Sequence, residues 1–356
     1  MKKFLFFLLL LMPISCYAVS DSSYSSIVMD MNSHRVLYSN NSEEVRSVAS
    51  ISKIMTAVVA IENAKPSDVV TVGEEILSIY GSNIYVSVGE KMTMKDLLYG
   101  LLLRSGNDAA VVIANFICDN EEEFVKLMNK KAKEIGMKNT TFINAHGLDD
   151  DTSGNLSTAY DMALLSSYAN QYDLYREIVG TKKYTTKTDV KSYVWYNRNK
   201  LLSKYEFATG GKNGYTPKAG RTLVTSATKD ELSLTTVTLN DDYEYDTHIA
   251  LYEYAFENYK NYKFIDCNDF DIKTDIKEDQ IYVKESFSYP MTEEEYKNSK
   301  VVLTLDTNQK YKDNEKIGTV KVLLYDDVLY SEDVYVKIQE NRNLFEKIID
   351  WFKRIF

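Results

Sequence analysis

The chain of 356 residues is 26% charged and 44% hydrophobic, the balance of a globular protein long enough for two domains. Its formal net charge of −10 excludes the broad basic face that a nucleic-acid partner requires. Cys16, Cys118 and Cys267 have no metal-like spacing, and Cys118 and Cys267 are expected to be buried free thiols rather than a disulfide.

The first 18 residues have the order of a signal peptide. Lys2 and Lys3 form the charged end, residues 4–12 are apolar, Pro13 breaks the run, and Cys16-Tyr17-Ala18 offers a cut after Ala18. Nine apolar residues are too few to span a bilayer. Lipidation of Cys16 is the alternative, disfavoured by Pro13. The mature chain is therefore expected to be exported.

Residues 25–31 and 36–38 predict a hairpin around Asn32-Ser33-His34. Next comes Ser50-Ile51-Ser52-Lys53, running into Ile54-Met55-Thr56-Ala57-Val58-Val59-Ala60-Ile61. A run apolar on every side predicts a buried helix, with Ser50 in its first turn and Lys53 on the same face. Residues 69–72 and 84–88 predict short strands, and 93–103 and 109–117 predict helices. Arg104-Ser105-Gly106-Asn107-Asp108 is the polar break between those helices. Residues 121–135 predict an amphipathic helix stopped by Gly136, and Ser157 or Thr158 caps another that runs to Tyr168. Strand character returns after Asn199: residues 207–215 lead into 221–228 and 232–239, the last two paired across Lys229-Asp230-Glu231. A closing helix covers 249–256. Strands, a helical block and strands again predict an α+β sandwich whose terminal strands share one sheet.

From about residue 261 to 339 only strand-like runs appear, at 281–283, 301–305, 316–325 and 334–338, which predicts a small all-β domain. Residues 340–356 carry Leu344, Phe345, Ile348, Ile349, Phe352, Ile355 and Phe356 on one helical stripe. Four basic and two acidic residues fall between Asn341 and Phe356. Such a helix suits the membrane interface rather than a span, with packing on its own domain as the alternative. The expected division is 1–18 leader, 19–260 catalytic domain, 261–339 β-rich domain and 340–356 membrane anchor.

A serine with a lysine three residues on is weak evidence by itself, since Ser226-Ala227-Thr228-Lys229 repeats it and Ser153-Gly154-Asn155 repeats Ser105-Gly106-Asn107. Context separates the copies: Ser50 heads a buried helix, Ser105 lies between two buried helices, and the others lie in turns. A lysine drawn into low dielectric loses preference for its charged form and can serve as a base. Serine, Ser/Asn turn and lysine strand, in that order, match the arrangement of penicillin-binding proteins and β-lactamases.

The stretches Ala49-Ser50-Ile51-Ser52-Lys53-Ile54-Met55-Thr56-Ala57, Ser105-Gly106-Asn107-Asp108-Ala109-Ala110, Asn144-Ala145-His146-Gly147-Leu148 and Ser157-Thr158-Ala159-Tyr160-Asp161-Met162-Ala163 resemble the D-alanyl-D-alanine carboxypeptidase family, the low-molecular-mass penicillin-binding proteins. The resemblance spans about residues 25–259. It implies a penicillin-binding/β-lactamase-like sandwich, followed by the small β domain and the terminal amphipathic helix. It implies that Ser50 attacks the carbonyl between the last two D-alanines of a peptidoglycan stem peptide. Lys53 would be its base, Ser105 a proton relay, and Asn107 a contact to substrate and lysine. Lys212, Asn213, Gly214 and Tyr215 would line the substrate, with the backbone N–H groups of Ser50 and Tyr215 as oxyanion hole. β-Lactams would acylate Ser50, and no metal or cofactor is required.

A Ser-His-Asp triad would need His34, His146 or His248, and Lys53 makes it unnecessary. The family's third motif is Lys-Thr-Gly, and here it is Lys212-Asn213-Gly214. The threonine hydroxyl and an arginine beyond the next strand normally meet the substrate's carboxylate, yet residues 239–248 contain no Lys or Arg. The alternative that follows from Asn213 is a wall-binding homologue of low or no activity. A β-lactamase ranks last, because no carboxylate is assigned to activating water.

Overall fold

The computed structural model describes residues 19–150, 152–270, 279–306 and 311–338. The expected leader over 1–18 and terminal helix over 340–356 lie outside the described residues.

A five-stranded antiparallel sheet forms the spine. Its strands are β1 (Ser25–Asp30), β2 (Val36–Asn40), β3 (Ala208–Thr216), β4 (Gly220–Lys229) and β5 (Leu232–Leu239), in the order β2-β1-β5-β4-β3. The first strand and the last thus lie side by side, with Ile27 opposite Val237, as the sequence predicts. β1 is buried throughout and β5 at every position but Ser233, because helices cover both faces of the sheet. Ile27 and Met29 enter the larger core and Val28 the smaller one behind, the two-residue alternation of a strand. Asp230 and Glu231 turn the β4–β5 hairpin, both with positive φ, as a two-residue turn demands.

The helical block fills the space between β2 and β3. It comprises α1 (Lys53–Asn63), α2 (Met94–Leu103), α3 (Asn107–Cys118), α4 (Glu121–Ile135), α5 (Ala159–Ala169) and α6 (Asp173–Gly180). The closing helix α7 (Glu244–Asn258) lies against the other face. The Thr93 side chain caps α2 in a capping box with Asp96, and Thr158 caps α5 through the Asp161 N–H. Gly136, with φ of 91°, ends α4.

Three expectations change. Ser50 lies in a 3-10 turn, Ala49–Ser52, and α1 begins only at Lys53. Residues 84–88 form no strand: Tyr85 has a φ of 63°, and the Asp108 carboxylate accepts the N–H groups of Ile84 and Tyr85 at 2.9 and 2.7 Å in place of a neighbouring strand. Residues 170–198, unassigned from the sequence, hold α6 and a hairpin, Lys183–Lys187 with Ser192–Tyr196.

The second body begins at β6 (Lys260–Ile265). It adds β7 (Asp279–Tyr282), β8 (Phe287–Met291), β9 (Ser299–Leu305), β10 (Lys316–Leu324) and β11 (Asp327–Ile338). β6 pairs with β8, and the others form a four-stranded sheet, β7-β11-β10-β9, around its own valine- and isoleucine-rich core. One short helix, Glu293–Lys297, interrupts the strands. Arg35, beyond β1, ion-pairs with Glu295, donates to the Pro290 carbonyl and lies over the Tyr259 and Tyr289 rings. Cys118 and Cys267 are both free, and partly exposed rather than buried.

Candidate active site

The β3–β4 hairpin and the loop at Gly147, both far from Ser50 in sequence, converge on it. Thr222 Oγ1, on β4, donates to the Val48 carbonyl at 3.1 Å and fastens the sheet to the turn that carries the serine. Gly214 brings β3 against that turn: a Cβ there would lie 2.9 Å from the Ser50 nitrogen and 2.5 Å from Thr222 Oγ1. Only glycine permits this approach. Gly147 supports the turn from the other side, at a φ of 78°, where a Cβ would meet the Ala49 carbonyl oxygen at 2.3 Å. Ala49 itself has a φ of 49°, so the residue before the serine is held in a conformation that L-residues seldom adopt.

Lys53 is fully buried. Its Nζ lies 3.1 Å from Ser50 Oγ, donates to Asn107 Oδ1 at 2.7 Å, and donates to the His146 carbonyl. Burial pushes the Lys53 pKa well below its ordinary value, and the Lys212 charge lowers it further. Burial therefore favours the free base.

Asn107 opens α3. Its Nδ2 donates to the Tyr80 carbonyl and its backbone N–H to the Ser82 carbonyl, both at 2.7 Å. The carboxamide is thus engaged with Lys53 and Tyr80. Ser105, two residues earlier, is buried with a φ of 63°. No group among the described residues hydrogen-bonds its hydroxyl. Lys212, opposite Val224 on edge strand β3, is also buried, and burial followed by the Arg198 charge lowers its pKa to about 7. Its Nζ donates to the Asn213 carbonyl. Asn213 is half-buried and Tyr215 exposed. As an edge strand, β3 leaves alternate N–H groups without a strand partner, and Ser50 N–H belongs to the first turn of its short helix.

The histidines have other roles. His146 Nδ1 accepts the Leu148 N–H at 3.1 Å, and burial, reinforced by the Lys53 charge, lowers its pKa to about 3. Its carbonyl, not its ring, serves the site. His248 is buried behind the sheet, between Thr225 and Thr238, and His34 lies in an exposed turn. Among the described residues no cluster of His, Cys, Asp or Glu could hold a metal ion.

Several contributors were not singled out from the sequence. Asp108 organises residues 84–86, and Asp149 accepts from both Ser47 and Thr216, tying the segment before Ser50 to the end of β3. Arg198, beyond the unassigned hairpin, lies close enough to lower the pKa of both lysines. Asp108 lies within a quoted motif and could have been found there; Arg198 follows a Tyr-Val-Trp-Tyr alternation that signals a strand end.

A serine beside a buried lysine, with the lysine held by an asparagine and faced by a second lysine on an edge strand, defines a serine enzyme of the acyl-transferring, penicillin-binding class. Residues 15–243 match the family described as D-alanyl-D-alanine carboxypeptidase, and residues 271–341 match the C-terminal domain of penicillin-binding protein 5. The D-alanyl-D-alanine carboxypeptidase DacF of Bacillus subtilis is 35% identical over 278 residues, covering 75% of this chain and 71% of that one. DacC of Escherichia coli is 36% identical over 226 residues, 60% of this chain and 55% of that one. The solved penicillin binding protein 5 of Haemophilus influenzae has a TM-score of 0.73 at 25% identity, over 89% of this chain and 97% of that one. The chain belongs to the serine-type D-alanyl-D-alanine carboxypeptidase family.

Proposed function

We propose that this chain removes the terminal D-alanine from peptidoglycan stem peptides through an acyl-enzyme on Ser50. The observation that carries the reading is the approach of the buried Lys53 Nζ to within 3.1 Å of Ser50 Oγ, in surroundings that lower the lysine's pKa. Ser50 Oγ attacks the carbonyl carbon as its proton passes to Lys53. The N–H groups of Ser50 and Tyr215 stabilise the oxyanion. The C–N bond then breaks, and the amine leaves with a proton relayed through Ser105. Water attacks the ester, releasing the shortened peptide and restoring Ser50. Lys212, Asn213, Gly214 and Tyr215 form the strand along which the substrate lies, and Asn107 acts by holding Lys53. A β-lactam acylates the same oxygen.

The same reading places the enzyme on the extracytoplasmic face of the bacterial membrane. Support comes from the sequence of residues 1–18, which suits export, and from the apolar stripe over 340–356, which suits an interfacial anchor. It divides the chain into a peptidase domain over 19–260 and a β-rich domain over 261–339, consistent with their separate cores. A wall-binding homologue without turnover is not favoured, since serine, base and lysine strand are all in place.

Labelling with a fluorescent penicillin tests the mechanism. The wild-type chain becomes covalently labelled and Ser50→Ala does not; equal labelling of the two would refute the acyl-enzyme on Ser50.

A further inference from the structure

Charge is spread unevenly over this chain. Between Lys182 and Lys204 stand six lysines and Arg198 against one acid, Asp189, a net of +6 in a chain whose total is −10. The segment forms the hairpin of Lys183–Lys187 with Ser192–Tyr196 and the turn beyond it. Lys182, Lys183, Lys187 and Lys200 are exposed. Among the described residues no carboxylate ion-pairs with any of these four, whereas Lys204 lies 3.6 Å from Asp246. A surface of one sign, kept apart from the acids around it, directs its field outward toward an anionic partner.

The hairpin is a fixed platform. Its inner residues Tyr193 and Trp195 are buried in the larger core, and Tyr184 stacks on Tyr99 with ring centroids 3.6 Å apart. The two-residue alternation of its strands turns Lys183, Thr185 and Lys187 outward, together with their cross-strand partners Tyr196, Val194 and Ser192. Val194 is 52% exposed and Tyr196 59%, and Lys183 Nζ lies 5.5 Å from the centre of the Tyr196 ring. The outer face is therefore cationic with an apolar middle. It also adjoins the active site. Lys191 donates to the Tyr85 carbonyl, and Arg198 Nη1 donates to Ser82 Oγ at 2.9 Å, while the Ser82 carbonyl accepts the Asn107 N–H.

We propose that the outer face of this hairpin docks a phosphate-bearing anionic polymer of the cell wall, next to the Ser-x-Asn turn of the active site. Lysine ammonium groups are compact point charges that suit phosphate, whereas two-point recognition of carboxylates calls for arginine, and the outward strand positions hold none. Lys183 and Lys187 are four residues apart, roughly 13 Å along an extended strand. They thus meet separate charges of a long chain rather than one small anion. Val194 and Tyr196 cover the carbon segment between those charges. A lipid bilayer is the other source of surface phosphate, and the topology argues against it. The second body docks at Arg35, beside β2, and the chain continues from that body toward residues 340–356. The hairpin is fastened near β3, at the opposite edge of the sheet. Asn197 Nδ2 donates to the Val179 carbonyl at 3.0 Å, and Val179 is the side chain that a Cβ on Gly210 of β3 would meet. The inference rests on the extracytoplasmic reading for where the polymer is met, and not on turnover.

The test is the binding of fluorescently labelled poly(glycerol phosphate) to the full chain, followed by anisotropy at low and at physiological salt. The wild-type chain binds the polymer, and binds it more weakly as salt rises. The triple variant Lys182→Gln, Lys183→Gln, Lys187→Gln binds about tenfold to a hundredfold more weakly. Its penicillin labelling keeps the wild-type rate, which also shows that it is folded. A second triple variant on α4, Lys126→Gln, Lys130→Gln, Lys133→Gln, removes the same charge and binds as the wild type does. Equal weakening in the two triples would leave only net charge at work and overturn the proposal, as would a wild-type chain that does not bind. Polyglutamate bound as tightly as the phosphate polymer would overturn the assignment to phosphate. Binding to vesicles of anionic phospholipid that is lost in the hairpin variant would give the face to a membrane instead. A chain that binds the polymer but releases no D-alanine from a stem pentapeptide sinks the carboxypeptidase reading and leaves the docking face standing.

Discussion

The Asn107 side-chain oxygen lies 2.7 Å from Lys53 Nζ and accepts one of its hydrogens. This contact joins the Ser-x-x-Lys turn to the Ser-x-Asn turn across 54 residues of chain. It positions the amine beside Ser50 and supplies no negative charge that would keep the lysine protonated. An asparagine is therefore required where an aspartate of the same shape would fail.

Asn107→Asp tests that distinction. A carboxylate in this position stabilises the ammonium form, so the Lys53 pKa rises. The base then exists only at higher pH, and the acidic limb of the pH profile of acylation moves upward by the same amount. Penicillin acylation rates measured between pH 5 and pH 10 show the shift. An unmoved limb would mean that Lys53 is not the base.

Gly147→Ala tests the support under Ser50. The substitution strains a residue at φ of 78° and places a Cβ 2.3 Å from the Ala49 carbonyl oxygen. The expected loss is about 2 kcal/mol of stability, with acylation slowed as well because the serine turn is displaced. Denaturant unfolding gives the first quantity and penicillin labelling rates the second. Loss of stability with unchanged acylation would show that the turn does not depend on this loop for its position.

His248 makes stability depend on pH. It is fully buried between Thr225 and Thr238, and burial lowers its pKa from 6.5 to about 3. The folded pKa lies below the unfolded one, so the unfolded chain takes up the proton first. Stability is full above pH 6.5 and falls as pH drops from there toward 3. For this one group the loss approaches about 2 kcal/mol between pH 6.5 and pH 5. His146, lowered for the same reason, contributes with the same sign. In His248→Gln the fall across this range becomes correspondingly smaller, as measured by unfolding midpoints at the two pH values. Parallel curves for wild type and variant would show that His248 does not control this dependence.

Deletion of residues 341–356 tests the anchor. Their apolar stripe and local excess of two positive charges suit an interface helix. The truncated protein moves from the membrane to the soluble fraction while its penicillin labelling persists. An unchanged distribution would mean that this segment packs against protein instead.

The order of elements was legible in the sequence because hydrophobic period and caps are local signals. The all-apolar run after Lys53, the Gly136 stop and the Thr158 cap each appear where expected. Residues 84–88 deceived because strand propensity says nothing about where the partner is; Asp108, 22 to 24 residues further on, supplies the acceptors instead. Lys183–Lys187 and Ser192–Tyr196 do alternate in burial and could have been read as a hairpin.

The sequence by itself pointed to the family and to Ser50 and Lys53 as candidates, because a serine and lysine one turn apart, followed by ordered motifs, are properties of neighbouring residues. Only the tertiary structure decided why the pair can react. Burial of Lys53, the Asn107 and His146 acceptors, and the approach of β3 made possible by Gly214 each join residues far apart in the chain. The same holds for Arg198, which is an ordinary arginine in the sequence. It gains significance because folding sets it near two buried lysines, in a medium where its positive charge is strongly felt.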